Sequence, residues 1–278
     1  MENKKIKAAT IDLYNNERNE GIRCIGEIIN ETASSLKNIE IEYTRFDTRY
    51  KNEIPGLEQD IFISSGGPGS PFEGEGSEWE KNYFNLLEKI YSFNQNNNDQ
   101  KKYIFFICHS FQMMARFFEF ADVTKREFKS FGVMPFMKTV DGENDMILKN
   151  LPNPFYAADI REYQVVNPDK KVFSESGAKI LSNEILNNDE NREPALTAVR
   201  ISDEIVGTQF HPEADSGSML YHFQKPDEKK QVIETYGAEH YNRMIELLNE
   251  PDAIKLTRKT VLPSFLNNAI NQLTKVLI

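Results

Sequence analysis

Three residues in this sequence could together attack a carbonyl carbon. Cys108 ends the apolar run YIFFI at 103–107 and precedes Met113, Met114, Phe117 and Phe118 at helical spacing, so it stands at a strand-to-helix turn. A nucleophile held at such a turn is presented outward, and the amides that open the following helix stabilise both a thiolate and a developing oxyanion. His211 and Glu213 lie two apart in GTQFHPE, just after a strand-like run. In extended chain, residues i and i+2 point the same way, so the carboxylate can accept from one imidazole nitrogen while the other faces a thiol. The loop SGGPGSP at 65–71 is the third element, because glycines allow conformations and close approaches that could present N–H groups to a reacting carbonyl. Each element has a plainer reading when taken alone: a small buried side chain, a polar surface turn and an ordinary connection.

The elements that must position these residues follow a recognisable order. Strand-like runs at 6–13, 39–46, 60–64 and 103–107 alternate with helical patterns at 18–36 and 77–93, where Ser77 and Glu80 suggest a capping box. This alternation predicts an open, mostly parallel sheet flanked by helices, with reactive groups outside the carboxyl ends of the strands. Further strands are expected at 131–140, 156–166, 196–201 and 205–210, the last two joined by a hairpin at 202–204. Helical spacing at 228–248 and 264–277 predicts a C-terminal helical extension, so 1–217 reads as the α/β domain and 218–278 as helices packed on it.

Composition narrows the partners. The 278 residues include 33 basic and 43 acidic side chains, a net charge of −10, which disfavours nucleic acid and anionic membrane surfaces. The two cysteines, Cys24 and Cys108, cannot build a disulfide framework and suit a reducing compartment, so a cytoplasmic location is expected. No apolar run is long enough for a membrane span. His109 beside Cys108 invites a metal reading, but no metal-ligand spacing supports it, and none is predicted. His222 and His240 read as partly exposed surface residues, and Trp79 as packing at a helix start.

In order and spacing, SGGPGSP, ICHSFQ and GTQFHPE resemble the three motif blocks of the class I glutamine amidotransferase family over about residues 6–216, in the manner of the amidotransferase domain of GMP synthase. The resemblance implies that family's flavodoxin-like α/β fold and a glutaminase-type enzyme that works through a cysteinyl thioester without a cofactor. It makes Cys108 the nucleophile, His211 the general base and acid, and Glu213 the group that orients the histidine. Backbone amides of Gly67 and His109 become the oxyanion hole, and Gly66 and Gln112 contact the substrate. Glutamine or a similar small amide is the implied substrate. A synthetase subunit that accepts ammonia is the implied partner, and contacts of the helical extension within the chain or across a homo-oligomer both stay open.

The match departs from the family at two places. The family has glycine two residues before and after the cysteine, whereas Phe106 and Ser110 stand here. A phenyl ring at 106 is expected on the same side of the strand as Cys108, where it would displace the turn and slow glutamine hydrolysis. A family histidine that helps to hold glutamine has no counterpart in the segment from Ala157 to Tyr163, AADIREY, whose Asp159 and Arg161 read as solvated strand charges that could serve another polar substrate. Two alternatives stay open: acyltransferase or gamma-glutamyl hydrolase chemistry on the same scaffold, and a non-catalytic regulatory module.

Overall fold

Lys4–Asp12, buried without a break from Ala8 onward, builds β1, the first strand in the computed structural model, which describes residues 4–186, 193–250 and 253–275. The chain then runs through α1 (Gly21–Ser35), β2 (Ile39–Asp47), α2 (Thr48–Lys51), β3 (Ile61–Ser64), α3 (Glu78–Asn96), β4 (Tyr103–Ile107) and α4 (His109–Phe118). Ser77 caps α3 by accepting from the amide of Glu80, while the Glu80 carboxylate pairs with Arg116 instead of turning back to the cap. The second half continues with β5 (Asp122–Lys138), α5 (Val140–Asn144), β6 (Phe155–Val166), α6 (Lys170–Ser176), β7 (Lys179–Glu184), β8 (Leu196–Arg200) and β9 (Ile205–Thr208). Four helices follow: α7 (Ser216–Phe223), α8 (Pro226–Tyr236), α9 (Ala238–Asn249) and α10 (Ile254–Lys275).

The strands form one sheet in the order β2-β1-β3-β4-β9-β8-β6-β5-β7, and β7 also pairs with β8. The pairings β2 to β1, β1 to β3, β3 to β4 and β4 to β9 are parallel, as the alternating first half predicts. All others are antiparallel, and the β8, β6, β5 and β7 pairings close into a small barrel-like ring. The expectation of an open, mostly parallel sheet is therefore corrected for this half of the fold. The long strands β5 and β6 are joined through residues 139–154, which carry only the five-residue α5 and turn the chain back at the same end of the sheet, so the two strands pair antiparallel. β7 was not foreseen from the sequence at all.

Two cores pack the parallel half. Ile6, Ile28, Phe105 and Ile107 lie on one side, with Val261, Leu262, Phe265 and Leu266 of α10 packed among them. Leu13, Phe62, Phe106, Phe111 and Tyr83 lie on the other. Helix α10 begins ten residues before the sequence pattern placed it, at Ile254 instead of 264, and passes through Pro263. Residues 276 and 277 of the expected helix lie outside the described residues. A third cluster joins Phe131, Val133 and Ala158 to Phe223, Val232, Tyr241 and Met244, so α7 to α9 cover one face of the β5 and β6 pair.

Candidate active site

The strand-to-helix turn after β4 is held by its own residues. Cys108 adopts φ 51°, ψ −100°, a conformation rare outside glycine, and its amide donates to Thr208 O of β9 at 2.8 Å. Ser110 stabilises the turn: its hydroxyl accepts from the Ile107 amide at 2.8 Å and donates to Ser64 O of β3 at 2.7 Å. Serine thus adds hydrogen bonds at a position where the resembling family has only glycine.

Phe106 does not share a side with Cys108. The ring lies in the core with Phe111 and Phe62, whereas the positive φ swings Cys108 into the opposite cluster. Room for the ring comes from the neighbouring strand, where Gly207 stands directly opposite Phe106. A Cβ at Gly207 would come within 2.9 Å of both Phe106 Cβ and Phe111 Cδ2. The expectation that the ring crowds Cys108 is thereby corrected: it packs in the other core, against Gly207.

His211 and Glu213 meet as their spacing suggests. The imidazole Nδ1 lies 2.8 Å from Glu213 Oε1. Phe210, fully buried against Phe136 and Phe155, anchors the chain just before the histidine. Burial alone would lower the basicity of His211, but the Glu213 carboxylate and the Cys108 sulfur, through charge and hydrogen bonding, hold it well above its ordinary value. Cys108 itself is only 4% exposed.

The glycine-rich loop closes on this group. A Cβ at Gly66 would stand 2.9 Å from His211 Cε1 and 3.1 Å from Tyr14 Oη, so only glycine lets the loop lie against the imidazole. A Cβ at Gly67 would clash with Leu13 O, where the loop passes the end of β1. Ser65 Oγ accepts from the Leu13 amide at 2.9 Å, and the buried Arg49 donates to Pro68 O at 2.7 Å. His109 contributes the first amide of α4, which has no partner within the helix. Its ring is buried with Nδ1 unpaired, and burial, with Arg49 and Arg116 nearby, pushes its pKa down to about 3. The side chain is therefore a neutral part of the core.

Strand β6 supplies what sequence reasoning missed. Its edge away from β5 presents three carbonyls in turn: Ala158 O accepts from the His211 amide at 2.8 Å, Ile160 O lies 3.5 Å from Cys108 Sγ, and Tyr163 O accepts from Gln112 Nε2 at 3.2 Å. Backbone atoms carry no side-chain signature, so no motif marks them. Gln112, expected to contact substrate, also donates to Gln209 Oε1 at 3.2 Å. Tyr14 and Arg49 were likewise unforeseen, because an isolated tyrosine or arginine in a sequence reads as an ordinary surface residue. Asp159 and Arg161 are not solvated charges: their side chains are each 1% exposed and pair at 2.9 Å.

Cys24 lies outside the group formed by Cys108, His211 and Glu213. Burial first, then the nearby Asp215 carboxylate, pushes its thiol up to about 12, so it stays protonated at neutral pH. His222 and His240 are partly exposed on α7 and α9, and Trp79 packs over Gly74 with Arg49 on its ring face.

The family described as glutamine amidotransferase class-I matches residues 24–225. No curated protein matches the chain by sequence. Among solved structures, a glutamine amidotransferase from Thermotoga maritima is similar at a TM-score of 0.65 and 18% identity, covering 95% of this chain and 98% of its own. A glutamine amidotransferase from Methylobacillus flagellatus gives 0.61 at 13% identity over 98% and 95% of the two chains. The glutaminase domain of Trypanosoma brucei CTP synthase, with bound acivicin, gives 0.52 at 12% identity over 75% and 86%. At these identities the likeness is one of fold.

Proposed function

The chain belongs to the class I glutamine amidotransferase family, and from that premise we propose that it is a cysteine amidohydrolase releasing ammonia from glutamine through a thioester on Cys108. The observation that carries the reading is the His211 imidazole, held by Glu213 Oε1 at 2.8 Å and raised in basicity by that carboxylate and the Cys108 sulfur. Its raised basicity favours an imidazolium beside a thiolate, the form of the pair that attacks carbonyls.

In this reading the Cys108 sulfur bonds to the carboxamide carbon and the carbonyl electron pair moves onto oxygen. The amides of Gly67 and His109 hold that oxyanion. His211 gives its proton to the nitrogen, the carbon–nitrogen bond breaks, and ammonia leaves a thioester. Water then attacks the thioester as His211 takes a proton, and glutamate departs as the thiolate is restored. Glu213 keeps the imidazole in the tautomer that serves both steps. Gly66 and Gln112 line the substrate position, and the ammonia passes to a synthetase partner, a role in keeping with the fold shared with a CTP synthase glutaminase domain.

The test is mass spectrometry after incubation with a glutamine-analogue electrophile. One covalent adduct on Cys108 is expected. Failure of every glutamine-like reagent to modify Cys108 would overturn the reading.

A further inference from the structure

Leu13, the residue just after β1, commits both of its backbone groups to the glycine-rich loop and the side chain that holds it. Its amide donates to Ser65 Oγ at 2.9 Å, and its carbonyl accepts from Arg49 Nη1 at 3.3 Å. A hydroxyl carries one proton, so Ser65, accepting from Leu13, passes its own proton to Gly66 O at 2.8 Å. Arg49 Nη1 also donates to Pro68 O at 2.7 Å. The carbonyls before and after Gly67 are therefore both tied, and both ties come from buried side chains.

These ties set the direction of one amide. In a trans peptide the N–H points opposite to the C=O, so fixing Gly66 O fixes the Gly67 N–H. That N–H has no acceptor among the described residues. Its peptide lies against the imidazole, since a Cβ on Gly66 would stand 2.9 Å from His211 Cε1. Arg49 packs under the same place: a Cβ on Gly67 would come 3.4 Å from Nη1. Left untied, a peptide between two glycines could turn over, because neither residue restricts its φ or ψ.

Stability is a poor reason for Arg49 to be here. Burying a guanidinium is costly, and an apolar side chain of similar volume would fill the space at less cost. Its carboxylate partner, Glu73 Oε2 at 3.1 Å, belongs to a side chain that is 59% exposed, so that ion pair offsets little of the cost. What the burial does achieve is a charged donor fixed on the loop's backbone.

We propose that Ser65 and Arg49 are positioning residues for the reaction at Cys108, holding the Gly66–Gly67 peptide in the orientation that aims the Gly67 amide at the oxyanion. This rests on the amidohydrolase reading and adds to it. The glycines supply a peptide able to face either way, and the two side chains decide which way it faces.

The experiment sets two reactions of Cys108 side by side. Ammonia release from glutamine passes through an oxyanion, whereas alkylation by iodoacetamide is a displacement at saturated carbon that forms none. Ser65→Ala is expected to lower kcat for ammonia release roughly 100-fold with little change in KM, while Cys108 alkylates at the parental rate. Arg49→Met, which keeps the bulk, should behave alike. Arg49→Lys, which retains one charged donor for Pro68 O, should regain part of kcat. If Arg49→Met does not fold, Ser65→Ala decides alone. A parental kcat in Ser65→Ala overturns the proposal and leaves the amidohydrolase reading intact. So does a fall in alkylation that matches the fall in ammonia release, the mark of a site that has merely lost its structure. A parent protein that releases no ammonia overturns both.

Discussion

The carbonyl oxygen of Ile160 lies 3.5 Å from the sulfur of Cys108. A strand edge therefore covers the nucleophile, and the same strand binds the His211 amide and the Gln112 side chain. An electrophile reaches the sulfur only where this edge leaves room, so size should matter more than intrinsic reactivity. Iodoacetamide is expected to label Cys108 faster, relative to a free thiol, than a bulky aromatic disulfide. Equal relative rates would mean that the strand edge does not shield the sulfur.

Cys24 should not react. Its thiol is buried and its pKa is pushed up to about 12, so almost no thiolate exists at neutral pH. Cys108→Ala is expected to abolish labelling and ammonia release, and Cys24→Ala to change neither. Peptide mapping of the alkylated parent checks this, and equal loss in both variants would contradict it.

His211→Ala should lower kcat by roughly 10⁵-fold or more, and Glu213→Gln by one to two orders of magnitude less, because the carboxylate orients the base without exchanging the proton. The raised basicity of His211 also has a consequence for stability. A raised pKa contributes stability that is fully present below the unfolded value of about 6.5 and is lost as pH rises through the folded value. The parent should therefore lose its stability advantage over His211→Ala as pH rises above about 6.5. Denaturant titrations at several pH values check the sign.

His109 gives the opposite dependence. Its pKa is depressed to about 3 by burial, aided by Arg49 and Arg116, so the folded form binds fewer protons than the unfolded one. The stability it allows is present above about 6.5 and is lost as pH falls from there toward the folded value, by at most about 1.4 kcal/mol per unit. Replacing it with the non-titrating side chain in His109→Gln should flatten the stability profile in acid. Parallel profiles for parent and variant would show that the ring titrates normally.

Helix α10 is expected to be indispensable to the α/β body. Phe265 packs edge-on against Phe105 of β4 at 5.2 Å between ring centroids, and Leu262 and Leu266 are fully buried beside it. Removing residues 254–278 would expose that face of the central strands, and the truncated chain should aggregate or melt far below the parent. A truncated protein as stable as the parent would show the helix to be an appendage.

What the sequence made legible, and what it hid, follows from where each signal resides. Cys108, His211 and Glu213 were readable because their chemistry belongs to side chains and their grouping depends on local spacing, a turn after β4 and an i, i+2 pair after β9. The parallel half was readable for a similar reason, since alternating strands and helices leave few topologies. The ring of β5 to β8 depends on long-range pairing, which periodicity does not encode, and β7, KILSNE, has too little alternation to stand out. The carbonyls of Ala158, Ile160 and Tyr163 are invisible in principle, because every residue has one.

Phe106 is the residue for which the three-dimensional context reverses the expectation. Read along the chain, a ring two residues before the nucleophile crowds the turn, and Phe106→Gly should then raise activity. In the fold the ring belongs to the opposite core, and Gly207 directly across the ladder provides the room it needs. Phe106→Gly should therefore leave a cavity in that core and cost about 3–5 kcal/mol, with no gain in turnover. The matching change is Gly207→Ala, whose new methyl would lie 2.9 Å from Phe106 Cβ and 2.9 Å from Phe111 Cδ2. Neither neighbour can yield cheaply in a packed interior, so a loss of about 1–3 kcal/mol is expected, together with lower activity as β4 and the Cys108 turn shift. Thermal unfolding and ammonia release measured on both variants separate the two accounts. A stable Phe106→Gly protein with higher turnover than the parent would mean that the ring does strain the turn after all.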